Sequence, residues 1–338
     1  MANKYEFPLR CGIVLAGGEG QRLQRFVLQL KGQKLPKQYV NFIGTRSMLE
    51  HTFHRAEKLI PPTRLFTVVS QDHLRLSEAK RQLLKRPAHT LVSQPMNRET
   101  GPGILLPLLH VHKHYPESVV AVFPSDHFIL EEDIFMEHVE MAFRWVDQDP
   151  TRMVLLGVEP SDWDREYGYI LPEAESCHDT SPGVLGVRNF IEKPETRDLP
   201  ELASQGALWN TMVMVFKAKT LLALLRLVTP RFYRSFQEIW QTIGTSREGS
   251  VVENTYRCMA PLNFSKDIME AIALHYRSCL SLVPVKGVLW SDWGSDSRIL
   301  RLLQNIGCLN RLNQVSEGHP SENLGIPTVD QREIGAFL

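Results

Sequence analysis

Short apolar segments of strand length recur along the chain and alternate with stretches of helical periodicity. Seven of them are rich in apolar and β-branched residues: 11–16, 64–70, 89–95, 119–126, 153–160, 186–194 and 211–218. Strands that are hydrophobic on both faces belong to a sheet that is covered on both sides. Helix-like periodicity lies in the stretches 47–59, 101–114, 132–146 and 218–228. The alternation predicts an α/β fold in which a mostly parallel sheet is flanked by helices.

The composition narrows the class of partner. The 338 residues include 38 Lys and Arg and 38 Asp and Glu, so the formal net charge is zero and the balance favours neither nucleic acid nor an anionic membrane. No long linker or charge block divides the first 300 residues, which predicts one large domain over 1–305. From about residue 310 the sequence becomes polar and rich in Pro and Gly, so 306–338 is predicted to be a short C-terminal tail.

The cysteines and the N-terminus indicate a cellular location. Five cysteines are scattered, and no pair has the spacing of a disulfide framework or a zinc site. The first ten residues carry charges without an apolar segment behind them, and no window is long and apolar enough to span a membrane. We therefore expect reduced thiols and a cytoplasmic protein.

The segment CGIVLAGGEGQRL (11–23) joins an apolar strand to a glycine-rich turn and an arginine. Glycines at the carboxyl end of a strand let backbone N–H groups approach a phosphate, and ligands bind at that edge of open α/β sheets. The dinucleotide-binding pattern fails because Leu23 stands at its third glycine, and the Gly-Lys-Ser/Thr of a Walker A loop is absent. Arg22 offers a fork of donors to phosphate. A purely structural glycine turn is the alternative.

A second basic element follows in KLPKQY (34–39), where Pro36 favours an extended loop that presents Lys37. LAGGEGQRL followed by PKQY resembles the signature of sugar-1-phosphate nucleotidylyltransferases, and the details resemble the mannose-1-phosphate guanylyltransferase branch. Later segments are similar to that branch in the same order. They are QPMNRETGPG (94–103), FPSDHFI (123–129), EYGYI (166–170), FIEKP (190–194), WNT (209–211), FSKDIME (264–270) and WSDWGS (290–295).

The resemblance implies a Rossmann-like fold, a mostly parallel mixed sheet flanked by helices, with the site at the strand ends. It implies transfer of a nucleotidyl group from GTP to mannose-1-phosphate, with Mg²⁺ as the cofactor and release of pyrophosphate. The attacking phosphate is already ionised at neutral pH, so the site must align two polyanions and neutralise their charge rather than supply a base. The family's bifunctional relatives carry an isomerase domain that is missing here, and transfer alone is expected.

The resemblance also assigns roles. Asp126 and Asp292 would bind the metal, Arg22 and Lys37 would hold the triphosphate, and Lys193 would contact the sugar phosphate. The remaining contacts divide between sugar and nucleotide. The sugar would meet Gly168, Tyr169, Glu192 and Asn210, and the nucleotide would meet Asp126, Gln94, Arg98 and the backbone of Leu15, Ala16, Gly17, Gly18 and Gly20. Each residue type also has a structural alternative, such as an N-cap aspartate or a turn asparagine.

Three features leave more than one interpretation open. Asp267 matches a family aspartate but equally suits a helix cap. The histidines of HVHKH (110–114) suit a helix C-terminus better than a zinc site. The stretch 221–228 is predicted to be a core helix that, if half-exposed, would serve as the face of a homodimer.

The sequence departs from the family pattern near the site. RLQRF lacks a tryptophan-proline, Glu99 replaces an asparagine, and Met212 stands where relatives have glycine. These changes make the sugar and the base less certain than the reaction. The alternatives are a uridylyl- or thymidylyltransferase acting on glucose-1-phosphate and a non-catalytic nucleotide-sugar-binding regulator. A nicotinamide dehydrogenase is disfavoured because the third glycine and a ribose-binding acid are missing.

Overall fold

The computed structural model describes residues 9–173, 183–309 and 312. Eleven strands lie in these ranges, nine of them in one sheet. They are β1 (Arg10–Ala16), β2 (Leu65–Ser70), β3 (Leu91–Gln94), β4 (Val119–Pro124), β5 (Phe128–Ile129), β6 (Met153–Val158), β7 (Gly168–Pro172), β8 (Leu185–Glu192), β9 (Leu208–Lys217), β10 (Leu280–Val285) and β11 (Trp290–Ser291). Strands β5 and β11 form a separate two-stranded ribbon.

The main sheet has the order β3-β2-β1-β4-β9-β6-β10-β8-β7, with a further pairing of β9 to β7. Strands β1, β2, β3 and β4 are parallel to one another, as are β6 and β10. Strands β8 and β9 run antiparallel to their neighbours. The start of β9 therefore lies at the same edge as the carboxyl ends of β4 and β6. Seven of the nine strands run in one direction and only β8 and β9 run in the other, so the sheet is mixed and mostly parallel in direction, as predicted.

Eleven α-helices accompany the strands in the described ranges. They are α1 (Gln24–Lys31), α2 (Met48–Ala56), α3 (Ser77–Leu83), α4 (Thr100–His114), α5 (Glu132–Gln148), α6 (Leu199–Ser204), α7 (Ala218–Val228), α8 (Pro230–Thr242), α9 (Glu248–Cys258), α10 (Glu270–His275) and α11 (Asp296–Asn305). A π-helical segment, Phe264–Met269, runs directly into α10.

The core lies on both faces of the sheet, which explains why its strands are apolar throughout. Val120 and Val122 of β4 belong to a cluster that also contains residues of α4, α7, α8 and α9, whereas Val119 and Ala121 belong to the cluster with α2 and α5 on the other face. A third cluster joins α1 and α11 through Val27, Ile299 and Trp293. This cluster fixes α11 beside the glycine turn that follows β1.

The seven predicted strands and four predicted helices are all present, with ends that differ by a few residues. Strand β10 was not predicted, since Ser281 and Pro284 interrupt its apolar run. Helix α7 buries Leu221 and Leu225 but leaves Leu227 exposed, so it is a core helix with one open side. Its use as a homodimer face stays a prediction.

The predicted tail lies outside the described residues, apart from 306–309 and Leu312, which is buried against the third cluster. Four cysteines fall within the described ranges, and all are free thiols; Cys177 lies outside them. Across those ranges, no helix combines the length and the apolar character needed to cross a membrane.

Candidate active site

The glycine turn after β1 is held from behind by one buried amide. Gln38 donates through Nε2 to the carbonyl oxygens of Ala16 at 3.0 Å and Gly18 at 2.8 Å. Gly20 has φ of +59°, a conformation that glycine adopts without strain, and it lies directly against the backbone of Lys37. The structure thus brings the two basic segments of the sequence together at the carboxyl end of β1.

Lys37 lies between the two predicted metal ligands. Its Nζ is 3.1 Å from Oδ2 of Asp126 and donates to the backbone carbonyl of Asp292 at 2.6 Å. The side chain of Lys37 is only 10% exposed, whereas that of Asp126 is 35% exposed. The ammonium that the sequence predicts to hold a triphosphate is therefore largely buried, and it joins the end of β4 to the turn after β11. We call the surface between the glycine turn, Asp126 and Asp292 the cleft.

The carboxylate of Asp292 is held by three donors at one oxygen. Its Oδ1 accepts hydrogen bonds from the Tyr167 hydroxyl at 2.9 Å, the Gly294 N–H at 3.0 Å and Nη1 of Arg298 at 3.0 Å. Burial alone would raise the pKa of Asp292, but the cations of Lys37 and Arg298 outweigh it and hold the pKa below its usual value. Asp292 is consequently ionised and rigidly oriented at neutral pH.

The donors present fit a hard divalent cation. Oδ2 of Asp292 has a single polar contact among the described residues, Nη1 of Arg298 at 3.2 Å, and Oδ1 of Asp126 lies 3.8 Å from the His127 ring. The side chains are 35% exposed for Asp126 and 19% exposed for Asp292, and Mg²⁺ binds proteins through one or two carboxylates together with water and phosphate oxygens. In the described part of the chain, no three His, Cys, Asp or Glu side chains converge on one point.

Three of the predicted sugar-binding residues meet at the start of β9. Gly168 pairs with Glu192 across β7 and β8, and a Cβ at 168 would lie 3.6 Å from Cβ of Asn210. Burial raises the pKa of Glu192, with Glu270 reinforcing the shift and Lys193 opposing it. Tyr169 differs from the prediction, because its side chain is fully buried and its hydroxyl donates to the backbone carbonyl of Asp164 at 2.9 Å.

Four residues other than glycine have positive φ among those described: Glu99, Lys193, Met212 and Trp293. Glu99, Lys193 and Trp293 lie outside the strands in segments that carry the predicted site, and Met212 lies within β9 where its register with β6 shifts. Strained backbone of this kind is characteristic of functional regions. Lys193 has φ of +51°, and its exposed Nζ lies 3.9 Å from Oε1 of Glu192. Met212 has φ of +57° and accepts a hydrogen bond through Sδ from the Ser265 hydroxyl. The methionine therefore borders the region of Glu192 and Asn210.

The two residues expected to recognise the base occupy different surroundings. Gln94 is buried against Gly17, and its Oε1 has no hydrogen-bond partner in the described structure. Arg98 donates instead to the carbonyls of Tyr256 at 2.8 Å and Arg257 at 3.3 Å, which lie in the last turn of α9. The structure thus places Gln94 at the glycine turn and engages Arg98 with α9.

Arg22 reaches across the cleft from the glycine turn. Its Nη1 lies 3.1 Å from Oε2 of Glu166, and both side chains are largely exposed. Glu166 follows Asp164, which pairs with Nη2 of Arg298. The loop that precedes β7 is therefore connected to the glycine turn through Arg22 and to α11 through Arg298. Arg22 is paired with Glu166 in this conformation.

Other predicted features have local partners. Asp267 accepts the Asn263 N–H at 2.6 Å while the Asn263 side chain accepts from Lys266, which is the arrangement of a helix cap. His110 lies 3.1 Å from Glu248, whereas His112 packs against Trp240. These histidines fasten α4 to α8 and α9.

Sequence reasoning missed Arg298, Tyr167, Asp164 and Gln38. Gln38 and Tyr167 lie inside the segments PKQY and EYGYI, directly beside the predicted site residues Lys37 and Gly168, and this adjacency was the signal for them. Asp162, Asp164 and Glu166 lie in an irregular segment of bends and turns, and each pairs with a different arginine, so their spacing gave no usable signal. Arg298 gave no signal of its own, because an arginine in the first turn of a helix is ordinarily solvated.

Comparison with known proteins shows the family to which the chain belongs. The model of the nucleotidyl transferase family matches residues 11–306. Mannose-1-phosphate guanylyltransferase from Escherichia coli is 26% identical over 96% of this chain, and xanthan biosynthesis protein XanB from Xanthomonas campestris is 27% identical over 87%. The chain spans 66% and 60% of the length of these two relatives.

The fold is also found in a solved structure. Mannose-1-phosphate geranyltransferase from Thermus thermophilus superposes with a TM-score of 0.70 at 23% identity, covering 87% of this chain and 79% of the other. At that identity the similarity establishes the architecture alone. With the match of the family model to most of its length, the chain belongs to the nucleotidyl transferase family.

Proposed function

We propose that this protein transfers a guanylyl group from GTP to mannose-1-phosphate, giving GDP-mannose and pyrophosphate, with Mg²⁺ as the cofactor. The observation that carries the proposal is the position of Lys37, whose ammonium contacts both Asp126 and the backbone of Asp292 beside a glycine turn. A cation, two carboxylates and bare backbone N–H groups at one sheet edge are suited to a triphosphate. The name of the Escherichia coli relative, which is 26% identical, favours GTP and mannose-1-phosphate.

The reaction is a direct displacement. An oxygen of the sugar phosphate forms a bond to the α-phosphorus of the nucleotide, and the bond from that phosphorus to the bridging oxygen breaks as pyrophosphate leaves. No proton has to be removed, since the attacking phosphate is ionised at neutral pH. Rate enhancement then depends on alignment and on charge neutralisation at the strand ends.

The chain's own residues divide this work. Arg22 and the backbone from Leu15 to Gly20 would hold the triphosphate, while Lys37 sets the spacing of the two aspartates. Lys193, exposed beside Glu192, would contact the sugar phosphate. Glu192 and Asn210, both largely buried, would bind sugar hydroxyls. Asp126 and Asp292 would bind Mg²⁺, which when bound neutralises phosphate charge.

Selection of the base would rest on Gln94. Its Nε2 lies against Gly17, where the backbone would hold a nucleotide base, whereas its buried Oε1, without a partner in the described structure, faces Gly103 in α4. The amide would therefore donate through Nε2 to an acceptor atom of the base. Guanine presents such an acceptor in its O6. The engagement of Arg98 with α9 leaves Gln94 as the main candidate.

The test is pyrophosphate release with Mg²⁺ across GTP, UTP, dTTP, ATP and CTP against mannose-1-phosphate and glucose-1-phosphate. Turnover confined to GTP with mannose-1-phosphate supports the proposal as stated. Turnover with UTP or dTTP and glucose-1-phosphate keeps the displacement but assigns the other substrates. Absence of turnover with every pair contradicts the proposal and favours a regulatory protein that binds nucleotide sugars.

A further inference from the structure

Each proposed metal ligand is already paired with a cation of the protein. Nζ of Lys37 lies 3.1 Å from Asp126, and Nη1 of Arg298 lies 3.0 and 3.2 Å from the two carboxylate oxygens of Asp292. A bound divalent cation would therefore be placed close to two positive charges. At such distances and partial burial, charge repulsion is substantial.

Arg298 is fixed in this position from several sides. Nη2 pairs with Asp164, the guanidinium carbon lies 4.4 Å above the Tyr167 ring, and the side chain is only 18% exposed. These contacts restrain the guanidinium beside Asp292. Its charge is thus a permanent part of the cleft.

Asp292 does not need Arg298 for its orientation. Oδ1 also accepts from the Tyr167 hydroxyl and the Gly294 N–H, and both donors are neutral. Removing the charge of Arg298 would leave the carboxylate aimed as before but more attractive to a cation. The effects of charge and of geometry can therefore be separated by substitution.

We propose that Arg298 is a built-in counter-ion of Asp292 that keeps divalent cations weakly bound until a nucleotide arrives, so that the metal enters with the triphosphate. This inference rests on the proposed function, because it takes Asp126 and Asp292 as the metal ligands. The negative charges of the triphosphate would offset the positive charges of Lys37 and Arg298. Its phosphate oxygens would complete the set of oxygen ligands of the metal. Arg298 would thus act through the charge of Asp292 rather than by contact with the substrates.

The test measures binding of Mn²⁺ to the nucleotide-free protein. The concentration of free Mn²⁺ is read from its electron paramagnetic resonance signal. Arg298→Gln is expected to bind Mn²⁺ at least about tenfold more tightly than wild type. Arg298→Lys retains the charge and is expected to resemble wild type. Arg301→Gln is the matched control, because Arg301 lies on the same helix and pairs at 3.9 Å with the exposed Asp162.

Equal or weaker binding by Arg298→Gln overturns the proposal. The double variant Asp126→Asn/Arg298→Gln should lose the gain, and tight binding that persists there also overturns it, since the ion would lie elsewhere. Should Arg298→Gln fail to fold, the wild-type protein decides the question, because micromolar Mn²⁺ affinity without nucleotide is incompatible with the proposal. The substrate grid is a separate experiment, so failure of the proposed function is recognised independently.

Discussion

The carboxylate of Glu192 lies across Gly168 so closely that a Cβ on residue 168 would be 2.5 Å from Oε2. No other residue type fits at 168 unless Glu192 moves. The two residues face each other across β7 and β8, and Asn210 lies beside them. The glycine therefore determines where the largely buried carboxylate of the predicted sugar site is held.

Gly168→Ala is expected to displace Glu192 and raise KM for the sugar phosphate about tenfold or more, while KM for the nucleotide changes little. Displacing a buried polar contact to a substrate costs on the order of 1–3 kcal/mol. Steady-state kinetics with each substrate varied in turn provides the measurement. Gly249→Ala in α9, where an added Cβ meets no atom, should behave as wild type. Equal changes in both KM values would mean that Glu192 does not bind the sugar.

Under the proposed function, Glu166 would compete with the nucleotide for Arg22. The two side chains lie 3.1 Å apart in the ligand-free protein, and the exposed pair contributes about 1 kcal/mol or less. Glu166→Gln should therefore lower KM for the nucleotide severalfold without changing stability. Asp162→Asn, in the same loop and paired only at 3.9 Å with Arg301, is the control. A raised KM for the nucleotide would show that Glu166 assists binding instead.

Asp292→Asn tests the proposed metal site. The variant should lose Mg²⁺-dependent turnover almost completely, because the amide removes the charge that would bind the ion. Asp162→Asn again serves as the control, since that carboxylate is 72% exposed and lies outside the cleft. Thermal unfolding should show that both variants remain folded. Turnover near the wild-type rate in Asp292→Asn would exclude Asp292 as a metal ligand.

The strands of the sheet were predictable from sequence, because a strand covered on both faces is apolar throughout and can be recognised without knowing which strands lie beside it. The order of the strands was not, since pairing of β9 with β4, β6 and β7 depends on contacts distant in sequence. The grouping of Lys37, Asp126 and Asp292 followed from family resemblance, and for the two aspartates also from their places after β4 and β11. Arg298 could not be predicted, because its function depends on meeting Asp164 and Asp292 in three dimensions.

Glu99 tests the departure from the family pattern. It has φ of +70° and ψ of −174°, a region that is almost exclusive to glycine. Glu99→Gly should raise the free energy of unfolding by about 1 kcal/mol. Glu137→Gly, at an exposed position within α5, should lower it by about 1 kcal/mol, because glycine disfavours a helix. Chemical denaturation measures both changes, and destabilisation by Glu99→Gly would show that the glutamate side chain compensates for its backbone.

Glu132 should determine much of the acid stability of the domain. The carboxylate accepts from Arg55 at 3.0 Å and lies 3.2 Å from the His51 ring, and the Arg55 side chain is only 4% exposed. Burial raises the pKa of Glu132, but the interactions with His51 and Arg55 prevail and lower it to about 2. An unfolded glutamate has a pKa of about 4.3, so folding favours the ionised form.

The sign of the pH dependence follows from this difference. The stabilisation is fully present above about pH 5 and is lost as the pH falls towards 2, in total about 3 kcal/mol. Glu132→Gln should lower the free energy of unfolding at pH 7 by a similar amount, because Arg55 remains buried without a charged partner. Urea denaturation from pH 7 to pH 3 should show the gap between wild type and variant narrowing in acid. Asp133→Asn is the control: Asp133 is the next residue of α5 and 86% exposed, so this variant should lower the free energy of unfolding by less than about 1 kcal/mol. A difference in the free energy of unfolding between wild type and Glu132→Gln that stays constant with pH would exclude ionisation of Glu132 as the cause.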